Sequence, residues 1–65
     1  MIIKLNGQER EVVEGATILA LLAEAKLKTH TVAVEVNRRL VKTERYDQAL
    51  KAGDEVEIVT FVGGG

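Results

Sequence analysis

The dipeptide Asn6-Gly7 is the feature that most constrains how this chain can fold. A two-residue type I′ turn needs positive φ at both central residues, and Asn-Gly is among the pairs that adopt it most readily. Residues 1–5 before it alternate with the period of a strand, and residues 8–13 can return beside them. The sequence therefore predicts an antiparallel hairpin at the start of the chain.

The register of this hairpin raises a conflict. A plain two-residue turn would pair Ile3 with Arg10, which would place a charged side chain on the apolar face. We therefore expect a longer loop or a bulge, which shifts the register and turns Val13 inward.

A helix is predicted to follow the hairpin. Thr17 is a suitable N-cap, because its hydroxyl can accept a hydrogen bond from the first turn. The next residues have the i, i+3, i+4, i+7 spacing of one buried stripe, namely Ile18, Leu21, Leu22 and Ala25. We expect the helix to end near residues 26–28, with Glu24 and Lys28 paired four residues apart on its wet side.

The second half of the chain predicts three more strands. Residues 32–36 are β-branched at alternate positions, as in a central strand, and Asn37-Arg38 indicates a tight turn into residues 39–41. Residues 44–50 are too short for a stable helix and predict a single turn, while residues 55–61 form the last strand. The predicted core is Ile3, Leu5, Ile18, Leu21, Leu22, Val34, Val36, Leu50, Val56 and Ile58, with Tyr46 pinning the turn to it.

Composition excludes several classes of function. With 65 residues and a net charge of −1, the chain predicts one small domain without a basic field for nucleic acid. It has no Cys and only one His, His30, so a disulfide framework, a thiolate nucleophile and a zinc cluster are excluded. No apolar run approaches the length of a membrane span and no secretory signal is seen, so we expect a cytoplasmic protein without membrane contact.

The sequence ends in Phe61-Val62-Gly63-Gly64-Gly65. Glycine lacks Cβ, so such a tail can thread a narrow channel and deliver a terminal carboxylate to a partner. Gly-rich ends are more often flexible linkers, so the tail taken alone favours that interpretation and the rest of the chain must decide between the two. We expect one domain over residues 1–61 and a flexible tail over residues 62–65.

The predicted order of a hairpin, a helix and further strands suggests a mixed sheet of four to five strands with the helix on one face. That is the α+β arrangement of the ubiquitin-like β-grasp fold. Within it, the chain resembles the sulfur carrier family of thiamine biosynthesis, ThiS. The resemblance rests on Leu5-Asn6-Gly7, Gly15-Ala16-Thr17-Ile18 with Leu21-Leu22, Val34-Glu35-Val36-Asn37, the run from Leu50 to Ile58, and the glycine tail.

The resemblance implies a protein co-substrate, not an enzyme. In that family an E1-like adenylyltransferase uses ATP and Mg²⁺ to activate the terminal carboxylate, here that of Gly65. Sulfur from a desulfurase then replaces AMP, and thiazole synthase consumes the resulting thiocarboxylate. Gly64 and Gly63 would thread the partner's channel. The chain itself would bind no cofactor and no metal, and would be a monomer when free.

Strand parity adds a docking hypothesis. If Val56 and Ile58 enter the core, then Val59 and Phe61 face solvent beside the tail, and with Val62 they become the candidate docking residues. The alternative for Phe61 is a cap on the core.

Two other functions remain open for the whole chain. One is the small subunit of molybdopterin synthase (MoaD) or a related carrier, and the other is a plain β-grasp binding module with a non-functional tail.

Overall fold

Five strands and one α-helix make up residues 1–61, the part of the chain that the computed structural model describes. The strands are β1 (Ile2–Leu5), β2 (Gln8–Glu11), β3 (Val32–Val36), β4 (Arg39–Val41) and β5 (Glu55–Thr60), and the helix is α1 (Ile18–Glu24). Two short 3₁₀ turns, Thr29–Thr31 and Thr43–Arg45, complete the described elements.

The strands form one mixed sheet in the order β2-β1-β5-β3-β4. β1 and β5 lie side by side in parallel, and the other neighbouring pairs are antiparallel. α1 packs on one face, where its buried residues join those of the strands in one core. The predicted β-grasp fold is confirmed, with the last strand at the centre of the sheet.

The predicted bulge in the first hairpin was wrong. Asn6 (φ 50°) and Gly7 (φ 83°) form a two-residue turn with positive φ at both positions. The register is the plain one, in which Ile3 lies opposite Arg10. Val13 is not turned inward, since 76% of its surface is exposed.

The position of β2 explains why Arg10 is tolerated on the core side. β2 is an edge strand, and all four of its residues are exposed because the core does not extend beneath them. The guanidinium of Arg10 reaches the carboxylate of Glu24 at the end of α1. The charged side chain therefore borders the core without entering it.

The helix begins as predicted but ends earlier. The hydroxyl of Thr17 accepts a hydrogen bond from the Ala20 amide at 3.1 Å. At the other end, Lys26 has φ 59°, and the Leu27 amide donates to the Leu22 carbonyl oxygen at 2.8 Å. The Lys26 amide also donates to the Ala23 carbonyl oxygen at 3.1 Å, and these two C-terminal bonds form a Schellman motif, which stops the helix before residues 26–28.

Two details of the predicted helix change as a result. Ala25 is the C-cap and is exposed, so the buried stripe ends at Leu22. Lys28 lies outside the helix, and Glu24 pairs with Arg10 instead.

The core forms between α1 and the sheet. Its buried members are Ile3, Ala16, Ile18, Leu21, Leu22, Val32, Val34, Tyr46, Leu50 and Val56. The predicted Leu5, Val36 and Ile58 are half-buried and pack against it, while Ala16 and Val32 are additions to the prediction. Within residues 1–61 no helix has the length and apolar character to cross a membrane.

The segment after β4 is held to α1 by its backbone. The Tyr46 carbonyl oxygen accepts from the Leu19 amide at 3.0 Å, and the Leu50 amide donates to the Ala16 carbonyl oxygen at 2.7 Å. The predicted single turn is present as the 3₁₀ turn Thr43–Arg45, and Tyr46 is buried as expected.

Candidate functional site

β5 is the element that leads to the predicted tail. It is paired with β3 as far as Thr60, and the Phe61 amide donates to the Thr31 carbonyl oxygen at 2.9 Å. The backbone is thus held in the sheet up to the last described residue. The predicted site residues Val62, Gly63, Gly64 and Gly65 lie outside the described part of the chain.

Val59 and Phe61 face solvent, as strand parity predicts. Their surfaces are 58% and 62% exposed, and neither packs against the core. The alternative that Phe61 caps the core is therefore wrong. Both side chains remain candidates for docking, because exposed apolar groups beside one another commonly mark a partner surface.

Leu40 is a third exposed apolar residue on this face, and the sequence reasoning missed it. Its surface is 69% exposed, and it lies opposite Glu35 on the solvent side of β3. Val59 lies opposite Ala33 on the same side of the sheet. Parity within residues 39–41 was the available signal, because Val41 packs inward and Leu40 must then point outward.

The solvent face of the sheet is acidic. Its charged strand residues are Lys4, Glu9, Glu11, Glu35, Glu55 and Glu57, as the strand registers show. Lys4, the one basic member of this described set, lies between Glu9 and Glu55. The whole chain carries a net charge of only −1, so negative charge is concentrated on this side. The same face carries two opposed acidic residues, Glu35 and Glu57. It also carries three exposed apolar side chains, which we call the apolar trio: Leu40, Val59 and Phe61.

The described residues offer little for catalysis. Among residues 1–61, no group of three or more His, Cys, Asp and Glu side chains is placed to hold a metal ion. His30 is exposed in a 3₁₀ turn. One surface groove, of about 530 Å³, lies between β2 and α1, and none of its lining residues belongs to β5. The candidate site among the described residues is therefore the exposed apolar side chains of β4 and β5 together with Phe61, which directly precedes the predicted tail in the sequence.

A family model matches nearly the whole sequence. The ThiS family model aligns with residues 3–65, which include both the described domain and the glycine tail.

Three curated relatives are similar in sequence. The sulfur carrier protein ThiS of Bacillus subtilis (strain 168) is 40% identical over 65 residues, covering 97% of this chain and 98% of the relative. The thiazole synthase of Paramagnetospirillum magneticum is 44% identical over 62 residues, 94% of this chain and 19% of the relative. The thiazole synthase of Magnetococcus marinus is 36% identical over 66 residues, 100% of this chain and 20% of the relative. The chain thus spans about a fifth of the length of these two synthases.

Two solved structures have the same fold. A crystal structure of the thiamine biosynthesis protein ThiS from Geobacter metallireducens superposes with a TM-score of 0.81 at 33% identity, covering 100% of both chains. A solution structure of a thiamine biosynthesis protein from the same organism gives a TM-score of 0.80 at 33% identity, covering 100% of this chain and 88% of the other.

Proposed function

The chain belongs to the ThiS family, and on that premise we propose that it is a sulfur carrier for thiamine biosynthesis. In this role it is a protein co-substrate and not an enzyme. The observation that carries the proposal is the extent of the family match, which covers residues 3–65 and so includes the tail together with the domain. The position of β5, which leads from the centre of the sheet towards that tail, supports the same role.

The proposed reactive group is the carboxylate of Gly65. A carboxylate is a poor electrophile, so its oxygen first attacks the α-phosphorus of ATP on an E1-like adenylyltransferase and releases pyrophosphate. A persulfide sulfur from a desulfurase then attacks the carbonyl carbon and expels AMP. A thiol cleaves the resulting acyl disulfide and leaves the thiocarboxylate. ATP and Mg²⁺ serve the partner enzyme, and the carrier binds no cofactor of its own.

The proposed docking surface is the apolar trio of Leu40, Val59 and Phe61, continued by Val62. Three of these side chains lie on the solvent side of the sheet, where apolar contact area is available to a partner. Gly63 and Gly64 would follow as the slim segment that enters the partner's channel, because residues without Cβ need the least clearance. A cytoplasmic, monomeric carrier fits this role.

The relatives of this chain favour thiamine biosynthesis over molybdopterin biosynthesis as the pathway that it serves. Two of them are thiazole synthases in which a segment similar to this chain belongs to the same polypeptide. This supports thiazole synthase as the partner that consumes the sulfur. It favours thiamine biosynthesis over the molybdopterin synthase alternative, and the family match through the tail favours a carrier over a plain binding module.

The proposal is tested by incubating the protein with ATP, Mg²⁺ and a purified E1-like adenylyltransferase, then adding a desulfurase with cysteine and a thiol. Intact-mass spectrometry should show the acyl-adenylate first and then the replacement of one oxygen by sulfur. Fragmentation should place both changes at Gly65. Absence of the adenylate with an enzyme that is active on its own carrier would contradict the proposal.

The pathway is tested by the next transfer. The thiocarboxylate form should support thiazole formation by thiazole synthase and should not support sulfur transfer to the precursor of molybdopterin. The intact mass of the protein from its native host would also show which residue ends the chain and whether sulfur is present there. Sulfur transfer to the molybdopterin precursor, without thiazole formation, would instead support the molybdopterin pathway.

A further inference from the structure

The side chain of Asn6 is hydrogen-bonded to both backbone groups of Ile58, which lies 52 positions later in the sequence. Its Oδ1 accepts from the Ile58 amide at 2.8 Å, and its Nδ2 donates to the Ile58 carbonyl oxygen at 3.3 Å. One side-chain amide thus satisfies a donor and an acceptor of the central strand.

This contact extends the pairing of β5 where β1 stops. The parallel register ends with Leu5 opposite Val56, and the Asn6 amide donates to the Val56 carbonyl oxygen at 2.8 Å. Asn6 has φ 50°, so its backbone turns away into the hairpin. Its side chain then bonds Ile58 in place of the next backbone residue of β1. Beyond Ile58, the described neighbour of β5 is β3 alone.

A second asparagine holds the opposite end of the same strand. Asn37 also has positive φ (52°) in a two-residue turn. Its Oδ1 accepts from the Glu55 amide at 3.0 Å, and its Nδ2 donates to Oδ1 of Asp54 at 3.0 Å. The two asparagines have the same conformation and similar bonds, but only Asn6 acts on the half of β5 that leads to the tail.

We propose that Asn6 is a positioning residue for the end of β5 that carries the docking residues Val59 and Phe61, an inference that rests on the proposed carrier function. By holding Ile58 from the β1 side, it keeps the end of β5 in one conformation and so fixes the exposed side chains of Val59 and Phe61 relative to the sheet. A partner then binds docking residues whose backbone is already ordered. Such preorganisation lowers the entropic cost of binding without changing the chemistry at the carboxylate.

The effect of removing the contact follows from this role. Asn6→Gly keeps the positive φ that the turn requires and deletes both side-chain hydrogen bonds. The end of β5 is then held from the β3 side alone. We expect the KM of the adenylyltransferase for the carrier to rise about five- to tenfold, the scale of one to two lost hydrogen bonds. The kcat should stay within about twofold, because the substitution does not alter the group that reacts.

The experiment compares adenylation kinetics of the wild type, Asn6→Gly, Asn6→Asp and Asn37→Gly. Asn6→Asp has nearly the same shape, but it replaces the donor to the Ile58 carbonyl oxygen with a carboxylate oxygen that repels it, so KM should rise even if Asn6→Gly folds poorly. Asn37→Gly is the matched control, which loosens the start of β5 and should leave KM within about twofold. Amide hydrogen exchange should be faster at Ile58 in Asn6→Gly, which loses the Oδ1 acceptor, and faster at Glu55 in the control.

The outcomes separate the inference from the function it rests on. An unchanged KM for both Asn6 variants, or an equal rise for Asn37→Gly, would overturn the positioning role while adenylation of the wild type still supports the carrier function. A wild-type protein that is not adenylated at all would overturn the carrier function and the inference with it.

Discussion

Glu35 and Glu57 lie directly opposite each other on the solvent side of the sheet, one on β3 and the other on β5. Both are exposed. Like charges at directly opposed positions of neighbouring strands repel, because their Cβ atoms are only about 5 Å apart. This pair lies next to Leu40, which is opposite Glu35 on the other side. The middle of the solvent face therefore holds two carboxylates that repel each other, beside the exposed apolar side chain of Leu40.

Neutralising one member of this pair should stabilise the protein. We expect Glu57→Gln to raise the free energy of unfolding by about 0.5 kcal/mol, because the cross-strand repulsion disappears while the side-chain size is kept. The measurement is urea denaturation at low salt, and the gain should shrink at high salt as the charges are screened. Glu11→Gln is the control, since Glu11 lies opposite Ile2 and has no acidic residue directly across from it. Equal effects of the two substitutions would contradict the prediction.

Lys26→Gly should also stabilise the protein. Lys26 adopts φ 59° at the end of α1, in the left-handed region that a non-glycine residue enters only at a cost. Relief of this cost, less the extra freedom of glycine in the unfolded chain, should add about 0.5 to 1 kcal/mol to the free energy of unfolding. Lys28→Gly is the control, because Lys28 has φ −98° and gains no such relief. A less stable Lys26→Gly protein, measured by urea denaturation, would refute the explanation.

Phe61→Glu should weaken docking far more than folding. Phe61 is exposed and does not pack against the core, so its replacement leaves no cavity. By contrast, Leu22→Ala removes a fully buried side chain and should cost roughly 2–5 kcal/mol of stability. Thermal melts and pull-downs with the adenylyltransferase and thiazole synthase distinguish these effects. Val13→Glu, at another exposed apolar position, should leave binding unchanged.

Two results would count against the docking role of Phe61. One is a melting temperature of Phe61→Glu that falls as far as that of Leu22→Ala. The other is binding that Val13→Glu weakens as much as Phe61→Glu, because the contact would then be a general apolar one.

Adding one residue after Gly65 should abolish adenylation and leave the fold unchanged. The extension converts the reactive carboxylate into a peptide bond and moves the new carboxylate out of register with the partner's site. An extension before Met1 is the matched control, because β1 and β5 are parallel and Met1 therefore lies at the opposite end of β5 from Phe61. Mass spectrometry after incubation with ATP and the adenylyltransferase measures the result. Undiminished adenylation of the extended protein would show that Gly65 is not the reactive residue.

Gly64→Ala should slow adenylation less than an extension after Gly65 does and more than an extension before Met1 does. The methyl group narrows the clearance of the tail and penalises positive φ by on the order of 1 kcal/mol or more, wherever the bound tail needs that conformation. Adenylation by the same assay should therefore slow without stopping. A rate equal to that of the unsubstituted protein would show that the partner leaves room for a side chain at this position.

The features that could be predicted from the sequence are the local ones. The Asn6-Gly7 turn, the Thr17 cap and the alternation of Val32–Val36 depend on conformational preferences and periods within a few residues. Phe61 could likewise be placed on the exposed face from its distance to Val56 along one strand. Much of the fold and of the apolar part of the docking face could therefore be predicted.

The tertiary structure alone decided the relationships between distant segments. Whether Arg10 could stand opposite Ile3 depended on the edge position of β2 and on Glu24 of the helix. The helix end at Lys26 is stabilised by the packing of Leu27 against the core, a gain that local helix propensity does not contain. Register and packing depend on which surfaces meet, and that is settled by the free energy of the whole core and not by any one segment.

The contact between Asn6 and Ile58 shows the same division. The sequence determined that Asn6 would take a positive φ in a turn, because Asn-Gly favours it. Only the parallel pairing of β1 with β5 placed Ile58 within reach of its side-chain amide. A hydrogen bond across 52 positions arises from the strand order, because residues that are remote along the chain become neighbours only when the sheet has formed.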